Sequence, residues 1–427
     1  MRLENQGTVS VSTPATHRWM KEAIRLSLEP LPERGPLMRV CMVRIASTQR
    51  SVVFVLLHHA ALDGAAFRDR LLVDLLEHLS GVDSGPRDSS SLPRQFQPPR
   101  RLRGLFGSWA ALNSGALAYW KYKRSVTPLP LGRPSAVKMC NAAGVDEFMR
   151  VRRDLHEQMD GLLVVSFPDV MTTELRTISK ARDVSLMAAL AGAANLAVYS
   201  ALLDQGWMPP PAEQGCGPCR KTPRQQTVCT SMSLSLRPAM VPPALPSDPD
   251  GVGNFAYQLI YPVNIFLPES GEEFWKMAST QWRVLQKQVA ANKPMKLVRS
   301  TEIMCDRKGS DEAQREQLLD WGEKLIPLCS LNNLGVIAPV DAAGAPLQGV
   351  EAVYWWAGGD RSLAGAWLEM QASTVNGRIV VTLHNNLGKW TTSQFADVAR
   401  RFQHYVLSAA GMRAWDDTAE LGEVRPA

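Results

Sequence analysis

The stretch VVFVLLHHAALDG, residues 52–64, joins an unbroken apolar run to two adjacent histidines and an Asp-Gly pair. No other segment constrains the fold as much. Its left flank, LMRVCMVRIAS, alternates in part, TQRS turns, and VVFVLLHH runs back, the pattern of an antiparallel hairpin. Its right flank places Phe67, Leu71, Leu72, Leu75, Leu76 and Leu79 at helical spacing and stops at Gly81. His58 and His59 are therefore expected where a strand turns into a helix.

Each of these residues has an ordinary structural reading. Aspartate is favoured as a helix N-cap, the glycine relaxes the turn, and a lone histidine is more often a satisfied core residue than a reactive one. Four specified positions in the order His-His-x-x-x-Asp-Gly arise by chance on the order of once in a thousand such chains. A strand end holds an imidazole rigidly at the rim of a cleft. A neutral imidazole there can take a proton from an alcohol or amine as it attacks a carbonyl, with no serine or cysteine nucleophile.

The rest of the 427 residues reads as alternating strands and helices without a repeat. One or two helices are expected over 173–205, strands near TVCTSMSLSLR and FAYQLIYPVNIFL, and helices over roughly 271–292 and 311–323. Further strands follow at LCSLNNLGVI, SLAGAWLEMQAST and RIVVTLHNN, with Asn376-Gly377 as a hairpin turn between the last two. An amphipathic helix over 391–411 closes the chain. The segment GSWAALNSGALAYWKYK reads as a helix or half-helix.

With 45% hydrophobic and 21% charged residues, the chain is long enough for two domains or one large pseudo-symmetric body. Seven cysteines, an odd number without a framework, read as thiols of a reducing compartment, and the expected location is cytoplasmic. The N-terminus lacks the apolar region of a secretory signal, and no apolar segment is read as reaching the ~18 residues of a membrane span.

Net charge is +6, with one concentration of arginines, Arg87, Arg94, Arg100, Arg101 and Arg103, set among Pro and Ser. That composition suits a solvated loop, or a basic patch for an anionic ligand such as a nucleotide phosphate. No basic helix or aromatic-interleaved sheet signature points to nucleic acid.

The motif HHAALDG, His58 to Gly64, resembles that of the CoA-dependent acyltransferases with a chloramphenicol-acetyltransferase-like fold. These include alcohol acetyltransferases, plant BAHD acyltransferases, wax ester synthases, polyketide-associated acyltransferases and peptide-synthetase condensation domains. The hairpin before the motif is similar to theirs, and echoes follow in the family's order: LSLRP (234–238), GNF (253–255), SLNNLG (330–335) and VTLHNN. There is no DFGWG, the second motif of the plant enzymes.

The resemblance implies an α/β fold of two pseudo-symmetric halves, each a mixed sheet with flanking helices, with a cleft between them. The halves are read as 1–172, an N-terminal half shortened relative to the family, and 173–427, with a Pro-rich insert at about 206–226.

It further implies acyl transfer from acyl-CoA, a co-substrate rather than a permanent cofactor, to a hydroxyl or amine acceptor without an acyl-enzyme. His59 would be the general base and His58 supporting, its ring turned into the fold. Asp63, followed by Gly64, would pair with Arg237 rather than act in a triad. Ser330, Asn332 and Asn333 are candidates for the oxyanion site or cleft, or ordinary strand-end residues. The alternatives are a condensation-type domain fed by an acyl carrier protein, and a non-catalytic binding or scaffold member of the same fold.

Other features read as structure. Cys216 and Cys219, in CGPC, have thioredoxin-like spacing but neither the preceding strand nor the following helix that such chemistry needs, and a lone pair falls short of zinc's four ligands. His17, His78, His156, His384 and His404 lack metal-ligand spacing and read as surface or satisfied histidines. Trp355 and Trp356 read as core or tunnel wall.

Overall fold

A computed structural model gives the architecture. The residues it describes are 31, 10–12, 18–28, 37–45, 50–58, 62–79, 109–115, 161–208, 225–239, 256–308, 326–337, 350–355, 366–385 and 389–412, with single positions between 117 and 129. His59, the arginines from Arg87 to Arg103, Cys216, Cys219, His17, His156, Trp356, the GNF segment and the helix expected over 311–323 lie outside them.

The motif's hairpin consists of β2 (Met38–Ile45) and β3 (Arg50–Leu57), paired antiparallel from Met38↔Leu57 to Ile45↔Arg50. Helix α1 (Arg18–Leu28) covers one of its faces, where Leu26 and Phe54 are buried with Trp19, Cys41, Val43, Val52 and Leu56. After the motif come a single turn, α2 (Gly64–Ala66), a π-helical turn over Phe67–Leu71, and α3 (Leu72–Leu79).

A seven-stranded mixed sheet forms the main body. Its strands are β1 (Ser10–Ser12), β4 (Leu162–Phe167), β5 (Gln226–Ser235), β6 (Ala256–Ile265), β7 (Cys329–Ile337), β8 (Leu368–Val375) and β9 (Arg378–His384), in the order β1-β4-β9-β8-β7-β5-β6. β5 with β7 and β7 with β8 run parallel, and the other pairs are antiparallel. Both β1 and β4, which precede residue 172, belong to this sheet. β6 is an edge strand and so tolerates Pro262, which cannot donate to a ladder. Asn376 and Gly377 take φ values of 49° and 78°, which the tight β8–β9 hairpin requires.

One sheet face is the core. Leu163, Val165, Met232, Leu331, Met370 and Val381 pack there with α4 (Asp169–Ala181), α5 (Leu186–Asp204), α6 (Gly271–Ala290) and α8 (Thr392–Ala409). α5 is apolar around nearly its whole circumference because it lies between the sheet and α6 and α8. It is long and apolar enough to cross a membrane, which corrects the expectation of no such segment, yet it is largely buried as the core helix. Caps set the helix starts: Ser185 for α5, Ser270 for α6, and Thr391 with Gln394 as a capping box for α8.

The sequence reading misses α7 (Lys293–Lys308). Asn292 turns the chain with φ 57°, and Pro294 then sits in the first turn, where its missing N–H costs nothing. The helix therefore restarts two residues after α6 stops.

Candidate active site

Asp63 fixes the motif from two sides. Its Oδ1 accepts from the Ala66 backbone N–H at 3.0 Å, which makes it the N-cap of α2. Its Oδ2 accepts from Arg237 Nη1 at 2.5 Å, and both side chains are 2% exposed. Arg237 begins a short 3-10 turn just past β5, so this buried charge pair ties the strand–helix junction of the hairpin to the end of β5 in the main sheet. A charge-assisted bond at such depth leaves a buried charge uncompensated, at high cost, if either partner is removed.

Gly64 and Gly335 allow the close approach. A Cβ on Gly64 would stand 2.8 Å from Leu334 Cδ2. β7 bulges between Asn333 and Val336, where Gly335 takes φ 78° and Asn333 Oδ1 accepts from the Gly335 N–H at 2.7 Å. Into that bulge Arg68 donates from Nη1 to Leu334 O at 2.5 Å while its fork also grips Asp69. Asn333 is thus an exposed bulge former, and Ser330 and Asn332 point to the other face. Gly335→Ala is expected to cost about 1–2 kcal/mol, since its Cβ would meet Arg68 Nη1 at 2.8 Å in a left-handed conformation; denaturant melts of the two proteins measure it.

His58 continues the hairpin, its backbone N–H donating to Leu37 O at 2.9 Å. Its side chain is exposed, a correction to the expected inward ring. It lies one pleat beyond Leu56, past the last hairpin side chain that α1 buries.

The face of the main sheet opposite the core carries two adjacent rows of polar side chains. Registered residues on neighbouring strands share a face. One row is Ser231 on β5, Ser330 on β7, Glu369 on β8 and His384 on β9. The next is Gln258 on β6, Ser233, Asn332, Gln371 and Thr382. Ser231, Ser330, Asn332, Glu369, Gln371, Thr382 and His384 are all buried. Gln258 donates to Ser330 Oγ and Ser233 donates to Asn332 Oδ1. Asn332 is left with its own amide N–H groups to offer on this face. The second row lies next to the strand ends where the motif docks.

The first row ends in a buried ionisable cluster. His384 Nδ1 lies 3.7 Å from Glu369 Oε2, so His384 is neither surface nor isolated. Lys389, also buried, donates from Nζ to Ala366 O at 3.3 Å, and burial pushes its pKa down to about 7 against the pull of Glu369. Unfolding restores the ordinary lysine value. Between pH 7 and 9 the unfolded chain therefore binds more protons, and stability should rise with pH by about 2 kcal/mol. Above about 9 the buried thiol of Cys229 and the phenol of Tyr257, both pushed up to about 12 by burial, reverse the trend. Urea melts across pH 7–9 are expected to show this rise in the wild type and not in Lys389→Met.

Among the described residues no group of three or more His, Cys, Asp or Glu could hold a metal ion. Cys41, Cys229 and Cys329 are free thiols, and burial raises the last two far above neutral pH. Cys229 and Cys329 are therefore poor nucleophiles.

No protein-family model matches the sequence, and no curated protein matches it. Solved structures do. A trichothecene 15-O-acetyltransferase from Fusarium sporotrichioides is similar over 92% of this chain and 74% of its own, with a TM-score of 0.55 and 11% identity. The first condensation domain of the calcium-dependent antibiotic synthetase is similar over 95% of this chain and 74% of its own, with a TM-score of 0.50 and 16% identity. The fold is shared with this acetyltransferase and this condensation domain. In this fold Asp63 and Arg68 join the start of α2 and the turn after it to the end of β5 and to β7, through Asp63–Arg237 and Arg68–Leu334.

Sequence reasoning names Ser330 and Asn332 but misses Ser231, Ser233, Glu369, Gln371, Thr382 and Lys389. The available signal is a polar residue at every second position in four separate strands. Its meaning depends on which strands are neighbours.

Proposed function

We propose that this chain is an acyltransferase that moves an acyl group from acyl-CoA to a hydroxyl or amine acceptor, with His59 as general base. The observation that carries the reading is the buried Asp63–Arg237 pair, which anchors the motif beside a sheet face of hydrogen-bonding side chains. His59 Nε2 or Nδ1 takes the acceptor's proton as its oxygen or nitrogen attacks the thioester carbonyl. The carbonyl oxygen becomes an oxyanion, for which Asn332 N–H and the Ser330 hydroxyl are the donors on offer. Collapse breaks the C–S bond, and the CoA thiolate leaves with the proton from His59. No acyl-enzyme forms.

Intact-mass spectrometry after incubation with acetyl-CoA and a panel of alcohols and amines tests this. The acceptor should gain one acetyl group and the protein none. A stoichiometric acetyl adduct on the protein that chases onto the acceptor would overturn it, and transfer only from an acylated carrier protein would select the condensation-type alternative.

A further inference from the structure

We propose that the helical face carrying Trp109, Leu117 and Trp120 docks this protein on an anionic lipid bilayer. Residues 109–115 are helical, as is the backbone at 117, 120 and 124. Trp109, Asn113, Leu117, Trp120 and Arg124, spaced three or four residues apart as on one helical face, are all exposed. Trp109 is 68% exposed, Leu117 64% and Trp120 51%.

The opposite side faces the protein with small residues. Ala111 is fully buried, and a Cβ on Gly115 would stand 2.5 Å from Ser300 Oγ of α7. Downstream, the Thr127 N–H donates to Thr227 O at 2.7 Å and Leu129 enters the main core. This inverts the usual surface helix, which turns its large apolar residues inward. Two tryptophans and a leucine turned to solvent mark a contact surface.

Charge says what covers it. Residues 89–145 contain nine Lys and Arg and no Asp or Glu, out of 47 and 41 in the chain, so the remainder of the protein is net negative. Arg124 stacks on the stripe itself, its guanidinium carbon 3.8 Å from the Trp120 ring centroid. Lys121 and Lys123 adjoin it in sequence, and Arg100, Arg101 and Arg103 precede the helix. Indole rings settle at the headgroup level of a bilayer while neighbouring cations reach lipid phosphates. Leu117, between the two tryptophans, has a place among acyl chains but none on a nucleic-acid backbone.

Sedimentation of the full chain with phosphatidylcholine vesicles containing phosphatidylserine at about one part in four tests the proposal. The wild type should co-sediment, release as salt rises, and stay in solution with phosphatidylcholine alone. The double variant Trp109→Ser, Trp120→Ser should partition at least about tenfold more weakly, and Arg124→Glu should weaken binding too. The salt series reads the same surface without any variant. No binding to the anionic vesicles would overturn the proposal. So would equal binding by the double variant, or retention of a short RNA duplex by a protein that ignores vesicles.

Discussion

Asp63→Ala is expected to lose about 3–5 kcal/mol of stability, enough to leave little folded protein at 37 °C in a marginally stable chain. Truncation leaves the buried Arg237 guanidinium without its carboxylate partner, and removes the N-cap of α2. Asp63→Asn separates the two effects, since its carbonyl can still accept from Ala66 N–H. It should recover about 1 kcal/mol of the loss. The double variant Asp63→Asn, Arg237→Met should be more stable than Asp63→Asn alone, because no buried charge is then orphaned. Urea denaturation of the four proteins measures all of this. Equal stability of wild type and Asp63→Ala would mean that the pair does not hold the motif to the sheet.

The second large effect concerns chemistry rather than folding. His59→Ala is expected to melt within a degree or two of the wild type and to lose about 10²–10⁴-fold in the rate of acyl transfer, the usual contribution of a positioned general base. His59→Gln keeps a polar side chain of similar reach but cannot carry the proton, so it should be as slow as His59→Ala. The contrast with Asp63→Ala is the informative part: one variant fails by unfolding and the other by inactivity. Matching losses of melting temperature in both would reduce the motif to a structural element.

Local pattern made the hairpin, the Asp63 N-cap, the Asn376-Gly377 turn and the closing helix readable from sequence, because each is decided by residues within a few positions of one another. The restart of α7 was hidden because it depends on a left-handed Asn292, a conformation that the string ANKP permits without requiring. The polar face was hidden for a different reason. Ser231-x-Ser233, Ser330-x-Asn332, Glu369-x-Gln371 and Thr382-x-His384 each look like the solvent side of a half-exposed strand. Only the order β9-β8-β7-β5 lays them side by side and buries them. His384 read only as a surface or satisfied histidine for the same reason: its neighbour Glu369 sits across a strand pair, 15 residues earlier.

Acceptor-dependent release of CoA thiol by the wild-type chain is the most direct test of the central claim. With acetyl-CoA or a longer acyl-CoA and a mixed set of alcohols and amines, thiol should appear at a rate that rises with acceptor concentration and falls to background in His59→Ala. A folded wild-type protein that releases no thiol with any acceptor, and whose melting temperature CoA does not move, would contradict it.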